Sequence, residues 1–488
     1  MTLAMIRQRY AVASVNALTA PVFALAALLA APPAAAGQSA TPEPATFSKD
    51  VAPILQRSCE NCHRAGGGAP MSLVTYTEAR PWARAIKART AAREMPPWFV
   101  DKNIGIQRFK DDPSLSDAEI ATIAAWADAG APQGDPADLP PPREWTDRGK
   151  WSIGTPDLVV SSPVSTVEAL APDWYGMVNP PSPTGLTADR WIKAVEIREV
   201  IVDDDGNEVV PAVAAAAAGG AARADLNRSV VHHSVINARL NSAPEDDVHP
   251  NSGGESAAAE RDLALFGIVH ELGQNATVFP DYVGVKLPGD SVLTYTNIHL
   301  HSIGERVHVR VDTAFKFHPE GYEPKYVQTS GAQSGGFELE LDIPGGDANV
   351  MRDGFFRVTS PMILMTFEPH LHSSGKRMCI EAIYPNNMRE MRNCADYNHN
   401  WVKVYVYEDD AAPLLPAGTL LHLLAWYDNS PSNPRVSDPR NWKGWGNRSI
   451  DDMFYHLPRM IFLTEEQFET EVAARESPPL FATSQDQQ

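Results

Sequence analysis

The stretch GDPADLPPPREW, residues 134–145, divides this chain into two textures. Proline at this density stops helices and is excluded from strand interiors, so the segment reads as a linker, which we place at 137–150. Upstream, over 45–136, apolar residues recur at helical spacing. Val51, Ile54 and Leu55 share one face, and TEARPWARAIKAR from Thr77 reads as a second helix. In SDAEIATIAAWADAG, Ser116 and Glu119 form a capping box, Ile120, Ile123, Ala124 and Ala127 recur on one face, and Gly130 with Pro132 ends the helix. Downstream come short β-branched and aromatic runs bounded by Gly, Pro, Asn and Asp: SVVHHSVINARL, SVLTYTNIHL, RVHVRVDTAFKF, MILMTFEPHLH and WVKVYVYE. The expected fold is therefore multidomain, a small all-α module followed by all-β sandwich structure. An alanine- and glycine-rich stretch at 203–227 reads as a surface insertion.

At the N-terminus, Arg7 and Arg9 precede an apolar run from Ala20 to Ala31, and Ala34, Ala35 and Ala36 offer small residues for cleavage. Residues 1–36 read as a secretory signal, with a polar tether after it. The apolar run is shorter than the about 20 residues that span a bilayer. The expected location is periplasmic or secreted, with no membrane span. With 41 basic and 61 acidic residues the net charge is −20, which argues against a nucleic-acid partner.

SCENCHRAGG (58–67) places Cys59, Cys62 and His63 in a CxxCH pattern, the attachment signature of a c-type haem. Two thioethers and one axial imidazole leave the sixth iron position to be supplied elsewhere. Met95, held in a stiff loop before Pro96 and Pro97, is preferred over Met71, because Met/His ligation suits reversible electron transfer. A redox dithiol or half a zinc site would use the same cysteines, but His63 and the export leader favour haem. The module resembles class I-like cytochrome c domains fused to bacterial exported enzymes. The remaining cysteines, Cys379 and Cys394, read as one disulfide in an oxidising compartment, with two unpaired thiols as the alternative.

Histidines come in pairs in the β region: His232 with His233, His299 with His301, and His370 with His372. Residues i and i+2 of a strand project from one face, so His370 and His372 can converge on one metal ion. The adjacent His232 and His233 can share a metal only at a strand end, bulge or distortion. Imidazole does not choose among zinc, copper, iron and nickel, but a thioether shifts the balance to copper, and Met453 in WGNRSIDDMFYH is the candidate. The other histidines, His399 and His456 among them, read as ordinary hydrogen-bonded or surface residues.

Taken together, VVHH (230–233), the later His299 strand, PHLHSSGK (369–376), DNSPSNP (428–434) and WGNRSIDDM (445–453) resemble the copper type II, ascorbate-dependent monooxygenases. Peptidylglycine α-hydroxylating and dopamine β-monooxygenase are the best-known members of that family, and its bacterial forms fused to cytochrome c resemble nearly the whole mature chain. The resemblance implies two consecutive copper-binding β-sandwiches, 151–327 and 328–475, before a tail at 476–488. It implies an electron-supplying copper on His232, His233 and His299, with His301 as a neighbour or substitute. It also implies an oxygen-activating copper on His370, His372 and Met453, with substrate and O₂ bound in the cleft between the sandwiches.

The implied activity is hydroxylation of a C–H bond in a small organic substrate by O₂. The cofactors are two copper ions and one haem c, and electrons come from an ascorbate-like or protein reductant such as a periplasmic donor. Peptide-amidating members carry a substrate-gripping arginine where this chain has Glu368, so a neutral or cationic substrate is expected. Asn297 stands where the family often has glutamine. DNSPSNP is expected to be a rigid turn supporting Met453, and Asp451 and Asp452 either metal-site acceptors or a solvated acidic loop. The rival readings are a non-catalytic electron-transfer or copper-handling protein and a zinc hydrolase.

Overall fold

The computed structural model describes residues 44–64, 69, 71–144, 150–209, 230–241, 267–271, 276–330, 333–334, 341–399, 401–446, 448 and 450–476. The expected signal and most of the alanine-rich stretch lie outside these. The described chain is mostly β-sheet. Apart from Glu465–Glu476, its helices all lie before residue 139. None of these helices is long and apolar enough to cross a membrane.

In the helical segment, the Ser116 hydroxyl accepts from the Glu119 N–H and the Glu119 carboxylate accepts from Ser116 N–H, opening Asp117–Asp128 as expected. Its buried face centres on Ile123 and Trp126, with Ala124 only half-buried, because the indole is what fills the space beside Phe47. TEARPWARAIKAR does not form one helix. Pro81 has no N–H to donate, so the run divides into Tyr76–Ala79, a 3₁₀ turn Arg80–Trp82 and Ala83–Ala91. Phe47, Val51, Leu55, Ile123 and Trp126 form a core of their own.

The β region has two cores. The first lies between the sheet made by Trp174–Pro183, Ser291–Leu300, Val231–Leu240 and Gly267–Glu271 and strands of a ten-stranded sheet that includes Arg190–Val202, Val283–Leu287 and Val307–Phe317. The second lies between the sheet made by Val350–Arg357, Leu420–Tyr427, Gly375–Ile383 and Arg389–Asp396 and the far strands of that same ten-stranded sheet, Arg459–Phe462, Met362–Leu364 and Leu414–Leu415. The long sheet runs through both halves. Tyr326–Ser330 pairs in parallel with Val283–Leu287 and antiparallel with Arg459–Phe462, so residue 328 falls inside a strand shared by the two. Cys379 and Cys394 face each other across adjacent strands and form the expected disulfide.

The segment that follows the helix Ala83–Ala91 leaves the helical module and enters the second core. Val100 and Phe109 are buried there, and Trp98 packs against it. Val100 bridges Ala395, Phe109 bridges Tyr407, Asp101 N–H donates to the Cys394 carbonyl, and Arg377 pairs with Asp101 at 2.6 Å. Gly105 lies so close to the Arg392 carbonyl that a Cβ would collide with it.

Candidate haem and metal sites

The helix Ala52–Ser58 ends at Cys59, and the next turn brings Cys62 and His63 round so that both backbone N–H groups donate to the Cys59 carbonyl. Cys59 and Cys62 are free thiols, and burial, with Cys62 beside it, pushes the Cys59 thiol up to about 12. His63 Nδ1 lies 3.1 Å from the Met71 carbonyl oxygen. A proton on Nδ1 donates to that carbonyl and leaves the Nε2 lone pair as a metal ligand, the tautomer an axial histidine needs. Burial lowers the His63 pKa and keeps the ring neutral. These residues fit a covalently held haem. The Met71 contact is made by its backbone carbonyl and not by its sulfur. Met95 is half-buried in the loop that leads to Trp98.

His233 and His299 lie opposite each other on neighbouring strands, with ring centroids 5.4 Å apart. The register slips on both sides of His233, between Val231 and His233 and again between His233 and Val235. That is the distortion adjacent histidines need to serve one site, although the His232 side chain, like that of Asn297, lies outside the described residues. His301 follows the strand end, its ring 5.8 Å from that of His299. Asp173 completes a group with His299 and His301 whose ligand atoms lie within 4.8 Å of one another, and its carboxylate is 3.1 Å from His299 Nε2. Nothing in the sequence marks Asp173, which lies 126 residues from His299.

The second cluster sits where a strand becomes a turn. Pro369–His370 pairs with Tyr455–His456, and His370 is aligned with Tyr455. The strand stops at His370, so His372 is placed by the turn that follows and not by strand alternation. The two rings nevertheless converge, with centroids 5.5 Å apart. His372 is buried and His370 half-buried, and the Nδ1 of each is buried with no hydrogen-bond partner. Burial pushes His370 down to about 4 and holds His372 well below its ordinary value, with the charges of His370, His399 and His299 adding to the effect on His372. Neutral, desolvated imidazoles with uncommitted nitrogens are suited to a metal.

Met453 is buried two residues before Tyr455, the strand partner of His370, and its carbonyl accepts the Tyr427 hydroxyl. Asp452 ties the two loops together. It is fully buried, accepts the Ser374 hydroxyl, and lies 3.4 Å from Lys443 Nζ. Burial pushes its carboxyl up to about 6 against the pull of Lys443. Asp451 instead pairs with the exposed Arg448. DNSPSNP supports the histidine turn: Asp428 N–H donates to the Ser374 carbonyl, and Asn433 Nδ2 donates to the carbonyls of Ser373 and Asp428.

Two residues passed over in the sequence also border this cluster. The His399 ring is 5.5 Å from His372, and His456 is buried beside Phe367. Glu368 is buried with Oε1 unpartnered, and burial, opposed by the charge of Arg459, pushes it up to about 8.

No family model matches this chain, and no curated protein matches it. Among solved structures, it is similar to those of infectious bursal disease virus. The Gx strain structure is 9% identical over 66% of this chain and 74% of that chain, with a TM-score of 0.15. The Gt strain structure is 9% identical over 62% and 70%, with a TM-score of 0.16. Likenesses this weak carry no argument.

Proposed function

We propose that this chain is a copper-dependent monooxygenase of the copper type II, ascorbate-dependent kind, with electrons supplied through its own c-type haem. The observation that supports the reading is the converging His370–His372 pair, with both Nδ1 atoms buried and uncommitted, and Met453 is the thioether that would join them as third ligand. Two imidazoles and a thioether favour copper and tolerate its cuprous state. Copper bound there would supply O₂ activation.

The chain's own residues set the conditions. Burial keeps the His370 and His372 rings neutral, and Asp452 with Ser374 fixes the turn that follows His372. Glu368 stands two residues from His370 in place of a cationic carboxylate clamp, which suits a neutral or cationic small organic substrate. His232, His233 and His299 would hold the electron-supplying copper, with Asp173 and His301 beside it. In the overall reaction one oxygen atom enters a C–H bond and the other leaves as water, consuming two protons and two electrons from an ascorbate-like donor or a periplasmic protein. The leader at residues 1–36 supports export.

The test is a screen of small organic compounds with ¹⁸O₂ and the copper-loaded chain. Enzyme-dependent gain of one labelled oxygen, lost with His372→Ala, supports the reading. Stoichiometric redox with no labelled product in a fully loaded protein would make it an electron-transfer protein instead.

A further inference from the structure

The loop that carries Met95 also carries Trp98, three residues on across Pro96 and Pro97. The Trp98 ring meets Tyr405 edge to face with centroids 4.8 Å apart, and the Tyr405 ring stacks on Phe367 at 5.9 Å. Phe367 is three residues before His370 in a continuous chain, and its ring is 5.7 Å from His456. Tyr405 and Phe367 are also backbone partners in one short antiparallel ladder. A parallel line of contacts leads to the other histidine. The Phe99 carbonyl accepts from Asp396 N–H, Tyr397 follows, the Tyr397 ring lies 6.5 Å from His399, and the His399 ring lies 5.5 Å from His372. The Tyr397 hydroxyl further donates to the carbonyl of Leu371, between the two histidines.

These contacts lie inside the second β core, where Tyr405 and Phe367 are fully buried. Electron tunnelling weakens steeply with each gap between packed groups, so a continuous line of rings in van der Waals contact is a favourable path. The loop is held to this half of the protein, and not merely near it, by the Asp101–Arg377 pair and by the bridges at Val100 and Phe109.

We propose that Trp98 and Tyr405 form an electron bridge from the haem loop into the His370–His372 site, so that electrons reach this site directly and need not pass through the histidines of the first sandwich. The inference rests on the functional reading above, in which CxxCH holds haem and His370 and His372 hold copper. The step is a single-electron exchange. With both groups bound, ferrous haem would be oxidised to ferric as cupric ion is reduced to cuprous, and an ascorbate-like or protein donor would re-reduce the haem. Trp98 and Tyr405 are positioning residues here and touch no substrate.

The experiment uses the full mature chain loaded with haem and copper, with the haem reduced by one equivalent. The copper is left cupric, and haem absorbance is followed by rapid mixing without O₂ or substrate. Haem content by absorbance and copper content by metal analysis come first, and a chain that holds neither overturns both the functional reading and the route. In the loaded protein, His299→Ala is expected to leave haem oxidation at His370–His372 intact. Trp98→Leu is expected to slow it about tenfold or more, equivalent to ~1.4 kcal/mol of barrier, and Trp98→Phe to restore most of the rate. If His299→Ala stops haem oxidation while copper stays bound at His370 and His372, or if Trp98→Leu matches the unaltered protein, the direct route is wrong and the functional reading stands.

Discussion

The buried carboxylate of Asp452 accepts the hydroxyl of Ser374 at 2.5 Å, joining the loop that carries Met453 to the turn that follows His372. Lys443, 3.4 Å away, supplies the opposite charge, and the contact ties together two segments 78 residues apart in sequence.

Asp452→Ala should therefore be costly in two ways. It leaves Lys443 buried without its counter-charge, a loss of about 3 kcal/mol, and it releases the turn that aims His372. Copper affinity at the His370 site should fall about 10–100-fold, the usual effect of removing a residue that orients a ligand. Denaturant unfolding and copper titration measure the two losses separately. Unchanged copper affinity would mean that the turn holds itself.

Met453→Ile keeps the volume of the core but removes the sulfur. Oxygenation of any substrate found should disappear, while the copper at His233 and His299 remains bound. Electron paramagnetic resonance of the oxidised protein, which counts cupric sites, distinguishes loss of sulfur from loss of the metal.

Acid should loosen the docking of the loop that follows the helical module. The hydrogen bond and charge of Arg377 hold Asp101 below its ordinary value of 3.8. A carboxyl with a depressed folded pKa stabilises the fold above its unfolded pKa, and that stability is lost as pH falls through the folded value. The contribution, under about 1 kcal/mol for a partly exposed pair, should thus be complete above pH 3.8 and fade below it. Hydrogen exchange across residues 98–112 should rise over that window, and Asp101→Asn should abolish the pH dependence.

Replacing Cys379 and Cys394 together by alanine opens a cross-strand link that closes a 15-residue separation. The chain-entropy argument gives about 3 kcal/mol for a loop of this length. Because Cys394 also supplies the carbonyl that accepts Asp101 N–H, proteolysis of the 98–112 loop should accelerate in the same variant.

Much of this was legible in the sequence because its causes are local. Val307–Phe317 and Ser291–Leu300 alternate or run β-branched over a full strand, and the Ser116 capping box is written in two residues. Short runs were harder. MILMTFEPHLH breaks into Met362–Leu364, Thr366–Phe367 and Pro369–His370, and only Tyr405–Val406 of WVKVYVYE is strand. The histidine pairs stood out by residue type, but their surroundings did not. Asp173 is brought to His299 by pairing between distant strands, His399 reaches His372 from the end of another, and buried Asp452 meets Ser374 from 78 residues away. Residues 98–112 carry no helical or strand period that announces their place in the second core.

The most direct test of the account is X-ray absorption at the copper edge on the cuprous protein. It should detect one sulfur neighbour at half of the bound copper, and that signal should vanish in Met453→Ile while the imidazole signals persist. A metal-replete chain whose copper sees only nitrogen and oxygen neighbours would contradict the assignment of His370, His372 and Met453 as one centre.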